Sequence, residues 1–349
     1  MVLMNMKSII NNLKIIDVGK EDITAVNGYN IFKYDFNKKV FKRQTKIIDG
    51  INTLFSELPL IRRLLRAEIT KYYHLLDDSE LCIARKGIFC KELNKKSFVK
   101  TFNIKRGSRP MNICEDVDGS LYFGEYFQNM EKKAVHIYGS HDHGKTWEIV
   151  HTFPEGNINH VHGIYMDPYT KKMWFATGDR ENECIIGYTE DGFKTIKEVF
   201  RGGQEYRTCV MFFYKDYIVF ATDSQYQQNE LKKFDRKTLE ITHLQDVQGP
   251  VIRGAQIGDV SMISTDVEPS EVNKDTKAYV WISKDGLKWE VLCSAEKDWL
   301  PSMLFQFGVF DLPSYDKSLK VQDGQGFKVY VTGKAVKKYG GHTLVFDYK

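Results

Sequence analysis

The chain lacks the marks of the commoner enzyme classes. It has no P-loop, no glycine-rich dinucleotide-binding strand-turn-helix, no HExxH pair and no GxSxG elbow, which argues against nucleotide-driven chemistry. No uninterrupted apolar run reaches membrane-spanning length. The start, MVLMNMKSIINNLKIIDVGKED, carries neither the apolar core nor the small-residue cleavage pattern of a secretory signal. These absences lead us to expect no membrane span and a cytoplasmic location. Six cysteines (Cys82, Cys90, Cys114, Cys184, Cys209, Cys293) form no CxxC pair, so buried free thiols are expected rather than disulfides or a zinc knuckle. Fifty Lys and Arg against 46 Asp and Glu leave a net charge of only +4. The basic residues are scattered, so no basic stripe calls for nucleic acid. Helical periodicity is scarce as well: its one strong instance is the amphipathic stretch INTLFSELPLIRRLLRAEI, residues 51–69.

What is present is a repeat. SHDHGKTWE from Ser140, TEDGFKTIKE from Thr189 and SKDGLKWE from Ser283 each place an Asp two residues after a hydroxyl and a Gly soon after. Such a stretch suits a tight hairpin, with the Asp side chain capping turn amides, the Gly at positive φ and the Trp packing between sheets. Asp142 and Asp191 are 49 residues apart, and Asp191 and Asp285 are 94 apart; FDRKTLE around Asp235 fits the gap. CKELNKKSFVK around Asn94 and YDFNKKVFKR around Asn37 read as worn copies. A period of this length with several strands per unit predicts an all-β chain, a single β-propeller domain spanning residues 1–349. Joining YNIFKYDFNKKVFKR to the carboxy-terminal FKVYVTGKAV and GHTLVFDYK as one closing blade gives six blades, with seven as the alternative.

The stretch from Ser140 to Trp147 resembles the Asp-box of sialidases and related BNR-repeat proteins, and residues 283–289 resemble a shortened form. The resemblance covers most of the chain as architecture and implies a carbohydrate-active propeller. The sialidase Phe/Tyr-Arg-Ile-Pro motif is missing, with SRPMN at best its remnant.

In an antiparallel blade, the start of the innermost strand and the end of the second lie on one face of the disk. Inner strands are expected to begin in SRPMNIC, NHVHGIY, GGQEYRTCV, IRGAQIGD and LFQFGVF, and second strands to end in YFGEY, FATGD, FATDS, STDVEP and VTGK. Around the central opening this collects Arg109, His160, His162, Gln204, Tyr206, Arg207, Arg253, Gln256 and Gln306. Glu125, Tyr126, Asp179, Asp223, Asp266, Glu268 and Lys334 join them.

Arginine forks suit a carboxylate, so Arg109, Arg207 and Arg253, with Gln204, Gln306 and Lys297, are candidate binders of an acidic or acetamido sugar; the resemblance implies an arginine triad of this kind. Tyr126, Tyr206, Trp299 and Phe307 offer stacking faces. Glycoside hydrolysis needs two carboxyl groups of divergent pKa, and Glu125, Asp179, Asp223 and Glu268 supply the choice. Tyr206, beside Glu205, and Tyr126, beside Glu125, are candidates for the tyrosine nucleophile that the resemblance implies. His160 and His162, two apart on one strand face, are read as ligand-binding or proton-shuttling. The favoured reading is a glycoside hydrolase needing no cofactor. The alternatives are a polysaccharide lyase with a divalent metal on His160 and His162, aided by Asn157 or a neighbouring carboxylate, and a non-catalytic glycan-binding propeller.

Overall fold

The structure is a computed structural model that describes residues 6–316, 319 and 326–348. Its strands form seven small sheets, each a mainly antiparallel blade. The chain is an all-β, seven-bladed propeller, so the alternative count holds and six is corrected. The first blade runs Lys14–Val18, Ile23–Asn27, Asn30–Asp35 and Val40–Lys46, with Ser314–Tyr315 added in parallel at its inner edge. YNIFKYDFNKKVFKR is therefore the outer half of a blade with inner strands of its own. The seventh blade comprises Val309–Asp311, Phe327–Lys334 and Thr343–Tyr348, and its outermost strand is Met6–Ile10. Terminal strands do share a sheet, through Met6–Ile10 rather than the hairpin expected.

In the fourth blade, Met173–Gly178 is buried along its whole length between neighbouring blades, whereas the outer strand Lys197–Arg201 has no buried residue. This is the contrast expected of a strand covered on both faces and an exposed edge. Phe175, Phe220, Phe234 and Phe310 are fully buried.

The hairpins joining third and fourth strands carry the repeat. Asp142 accepts from the amides of Lys145 (3.1 Å) and Thr146 (2.9 Å) and from the hydroxyls of Ser140 (2.8 Å) and Thr146 (2.6 Å), and Gly144 has φ +84°. Asp191 and Asp285 repeat these bonds in outline. Trp147 packs on Phe123 at 5.0 Å and on Phe102 of the preceding blade at 6.3 Å.

The amphipathic stretch forms two helices, Ile51–Glu57 and Pro59–Leu65, the second started by Pro59 at its first turn. Arg63 ties this pair to the loop before the seventh blade by a bidentate contact with Asp298 and a bond to the Phe305 carbonyl. Among the described residues, no helix is long and apolar enough to cross a membrane.

Candidate functional site

The inner strands converge on a central cavity of about 580 Å³. Arg109, Tyr126, His162, Asp179, Arg207, Asp223, Arg253, Glu268 and Gln306 all border it, as do Gln256, Asp266, Phe307 and Lys334. All but Gln256 lie at or near the strand end the repeat assigned to them, or in the adjoining interblade segment; Gln256 sits at the opposite end of Val251–Ile257, where it bonds the Phe213 backbone. Arg207 immediately precedes Thr208–Phe213, His162 lies in His160–Met166, and Asp179 follows Met173–Gly178.

Other expected residues lie elsewhere. Glu125 is buried in a bidentate ion pair with Arg106 (2.8 Å from Nε) and accepts the His136 amide at 2.9 Å, so it braces the third blade. Tyr206 stacks on Phe200 at 5.3 Å with rings nearly parallel, outside the cavity lining. Lys297 is tied up by Asp298 Oδ1 (2.6 Å) and the Leu300 carbonyl (2.6 Å), and Trp299 is 84% exposed. Gln204 acts as a brace: it donates to the Asp179 carbonyl at 2.8 Å and accepts from Ser224 Oγ at 2.9 Å. His160 sits one layer behind His162, packed on the Tyr126 ring at 4.2 Å.

The cavity's cations divide into two kinds. Arg253 is neutralised twice, by Asp311 (2.7 Å) and Asp266 (2.9 Å). Arg207 contacts Asp179 at 2.9 Å and Asp223 at 3.7 Å; Lys14 faces Asp311 at 3.6 Å; Lys334 pairs with Glu68. By contrast, the side chains of Arg66, Arg109 and Lys71 have no hydrogen-bond or ion-pair partner among the described residues; Arg66 is exposed to solvent, whereas Arg109 Nη1 is cut off from it. Burial lowers the Lys71 pKa to about 8 against the pull of Asp311, and Arg253, Lys14 and Arg109 push it the same way. Burial likewise lowers that of Arg109.

The carboxyl groups are also shifted. Burial pushes Asp223 up to about 7 despite Arg207, and Asp266 up to about 6 despite Arg253. Burial raises Glu268, which accepts a hydrogen bond from Gln225. Cys209 Sγ lies 3.4 Å from Asp223 Oδ2, and burial holds this thiol far above its ordinary range, so it donates. For Asp179 burial opposes ionisation, but contacts with His160 and His162 outweigh it and hold the carboxyl well below the usual range. Burial lowers His162 to about 4.

Sequence reasoning missed Lys14, Lys71 and Asp311, which line the cavity from the first, second and seventh blades. The signal was there in KIIDV and KYYH, where a Lys opens an inner strand. Asn157 makes no contact with the histidine cluster; Asn159 reaches it, donating to Asp179 Oδ2 at 2.7 Å.

No family model matches the sequence, and no curated protein sequence matches it. Solved structures do. The chain is similar to a GH74 xyloglucanase from Xanthomonas campestris (TM-score 0.58, 14% identity, 83% of this chain and 46% of that one). It is similar to a chain of a mitotic checkpoint complex (TM-score 0.56, 9% identity, 100% and 94%) and to one of a nidogen/laminin complex (TM-score 0.50, 10% identity, 86% and 99%). It spans about half the length of the xyloglucanase. At such identities the likeness defines the class by fold alone, a β-propeller.

Proposed function

We propose that this propeller is carbohydrate-active, of the sialidase-like Asp-box kind, and that its central cavity takes an acidic saccharide and cleaves it hydrolytically. The observation that carries this reading is the pair Arg109 and Lys71. A half-buried cation without a counter-charge is costly, and these two face the cavity unpaired, whereas Lys14, Arg207, Arg253 and Lys334 are neutralised and Arg66 is exposed to solvent. An anionic group of a ligand would supply the missing charge, and the guanidinium fork fits a carboxylate.

Asp223 and Glu268, also on the cavity, supply the carboxyl groups that glycoside hydrolysis needs; burial keeps Asp223 protonated up to about pH 7, as a proton donor requires. Tyr126 and Phe307 offer faces for a sugar ring. An acetamido group lacks the charge that Arg109 and Lys71 call for, so the acidic sugar is the better fit.

A panel of sialylated, uronic-acid, acetamido and neutral oligosaccharides tests the reading. Release of new reducing ends from acidic members, cut by Arg109→Met, is expected. Release from neutral members alone would overturn the substrate class. An ultraviolet-absorbing unsaturated product would replace hydrolysis by lyase chemistry, and binding without turnover would leave a glycan-binding propeller.

A further inference from the structure

Three possible ligand atoms, one each from His160, His162 and Asp179, lie close together. His160 Nδ1 lies 2.9 Å from the Phe127 carbonyl oxygen and His162 Nδ1 lies 3.1 Å from that of Thr208. A carbonyl only accepts, so each ring donates from Nδ1 and turns Nε2, its other possible ligand atom, toward Asp179. The two Nε2 atoms are 3.1 Å apart, and each is 3.3 Å from Asp179 Oδ1. Two ring nitrogens and a carboxylate oxygen thus lie within 3.3 Å of one another, the spacing of ligand atoms around a single ion.

The triangle has the right size for an ion. A metal about 2.1 Å from each of the three atoms, the ordinary Zn–N and Zn–O length, would subtend angles of roughly 95–105° between them. These lie between octahedral and tetrahedral values.

The surroundings fit the same role. Main-chain carbonyls fixing the far nitrogen are the usual outer support of metal-binding histidines. Asp179 is clamped by Asn159 on Oδ2 and by Arg207 on Oδ1 at 2.9 Å. Gly178 is required here, because a Cβ would collide with the His162 ring. The rings are 5% and 1% exposed, yet His162 and Asp179 border the cavity, so the remaining coordination positions would open on it.

We infer that His160, His162 and Asp179 form a site for one divalent first-row transition-metal ion. Two imidazoles and one carboxylate select such ions over calcium or magnesium. A second cluster, His162 with Cys209 and Asp223, is not such a site, because the thiol hydrogen is committed to Asp223.

The inference stands apart from the saccharide reading, and the test needs no sugar. The full chain, stripped with a chelator and dialysed, is titrated calorimetrically with zinc, manganese and calcium chloride. One equivalent of zinc or manganese per chain is expected, with a rise in melting temperature and no saturable calcium site. His160→Gln and His162→Gln should each weaken binding at least about 100-fold, the upper end of what loss of an outer partner costs, while Arg109→Met leaves it unchanged. Should the histidine variants fail to fold, Asp179→Asn provides the same comparison at matched shape. Absence of a saturable site, or stoichiometric binding retained by the folded variants, would overturn the inference. So would nitrogen NMR showing an imidazolium at His160 or His162 at neutral pH in protein that takes up no metal.

Discussion

Arg253 Nη1 stands 2.9 Å from Asp266 Oδ2, and the same guanidinium reaches Asp311 at 2.7 Å. The sixth and seventh blades are thereby cross-linked at the cavity wall. Arg109 borders the same cavity with no such partner. Arg253→Met is accordingly expected to destabilise the fold by about 3 kcal/mol, because buried Asp266 loses its counter-charge and Asp311 is left with Lys14 alone. Arg109→Met should leave stability unchanged or raise it by about 1 kcal/mol. Denaturant unfolding of both variants checks the contrast; equal losses would mean that Arg109 is structural.

Lys71 makes ligand binding sensitive to pH. Its folded-state pKa lies near 8, below the ordinary lysine value, so it is charged below that pH and neutral above it. Affinity for an anionic saccharide should weaken as Asp266 and Asp223 ionise near pH 6 and 7, and fall further as pH rises through about 8 and Lys71 loses its charge. Bound anion would raise the pKa, so proton uptake should accompany binding near pH 8. In Lys71→Met the fall near pH 8 and the proton uptake there should be absent, while the weakening due to Asp266 and Asp223 remains.

Asp17, on Lys14–Val18 of the first blade, has its pKa raised to about 7 by burial and by the charge of Asp22. A carboxyl with a raised folded pKa binds protons more tightly folded than unfolded. Below about pH 4 both states are protonated, stability falls between about 4 and 7 as only the unfolded state ionises, and the loss is constant above 7. Asp17→Asn should flatten this decline and stabilise the protein at pH 8 by on the order of 4 kcal/mol. Urea midpoints measured across that range, compared with the parent's, give the answer.

Asp167, at the end of the inner strand of the fourth blade, forms a bidentate pair with Arg236 of the fifth at 2.5 and 3.0 Å, and Arg236 also donates to the Tyr214 carbonyl at 2.8 Å. Asp167 is fully buried and does not border the central cavity. Asp167→Asn should cost about 3 kcal/mol and leave saccharide affinity of the folded protein intact.

Local chemistry was the legible part. Asp142, Asp191 and Asp285 cap their own hairpins within four residues, so motif and structure coincide, and strand alternation placed His162, Arg207 and Arg253 on the cavity. Closure was not legible in the same way. Met6–Ile10 pairs with Thr343–Tyr348 across nearly the whole chain, and Lys14 and Asp17 disguised the first inner strand as a polar tail. Pairing was illegible too. Nothing local says that Arg253 meets Asp311, 58 residues on, that Glu125 is taken by Arg106, or that Tyr206 stacks on Phe200 rather than facing a ligand. The unpaired cations that are not exposed, Arg109 and Lys71, the second never singled out from the sequence, emerge only after every partner is assigned in space.

The most direct test of the account crosses one ligand group with one protein group. Calorimetric affinity of a uronic-acid oligosaccharide that the protein binds is compared with that of its carboxyl-reduced, neutral counterpart, in the parent and in Arg109→Met. A charge-assisted bond of about 1.5–3 kcal/mol predicts that either change alone weakens binding roughly 10- to 100-fold, and that the second adds little once the first is made. Equal affinity of the parent for acidic and neutral forms, or fully additive losses, would contradict the assignment of Arg109 to the ligand's carboxylate.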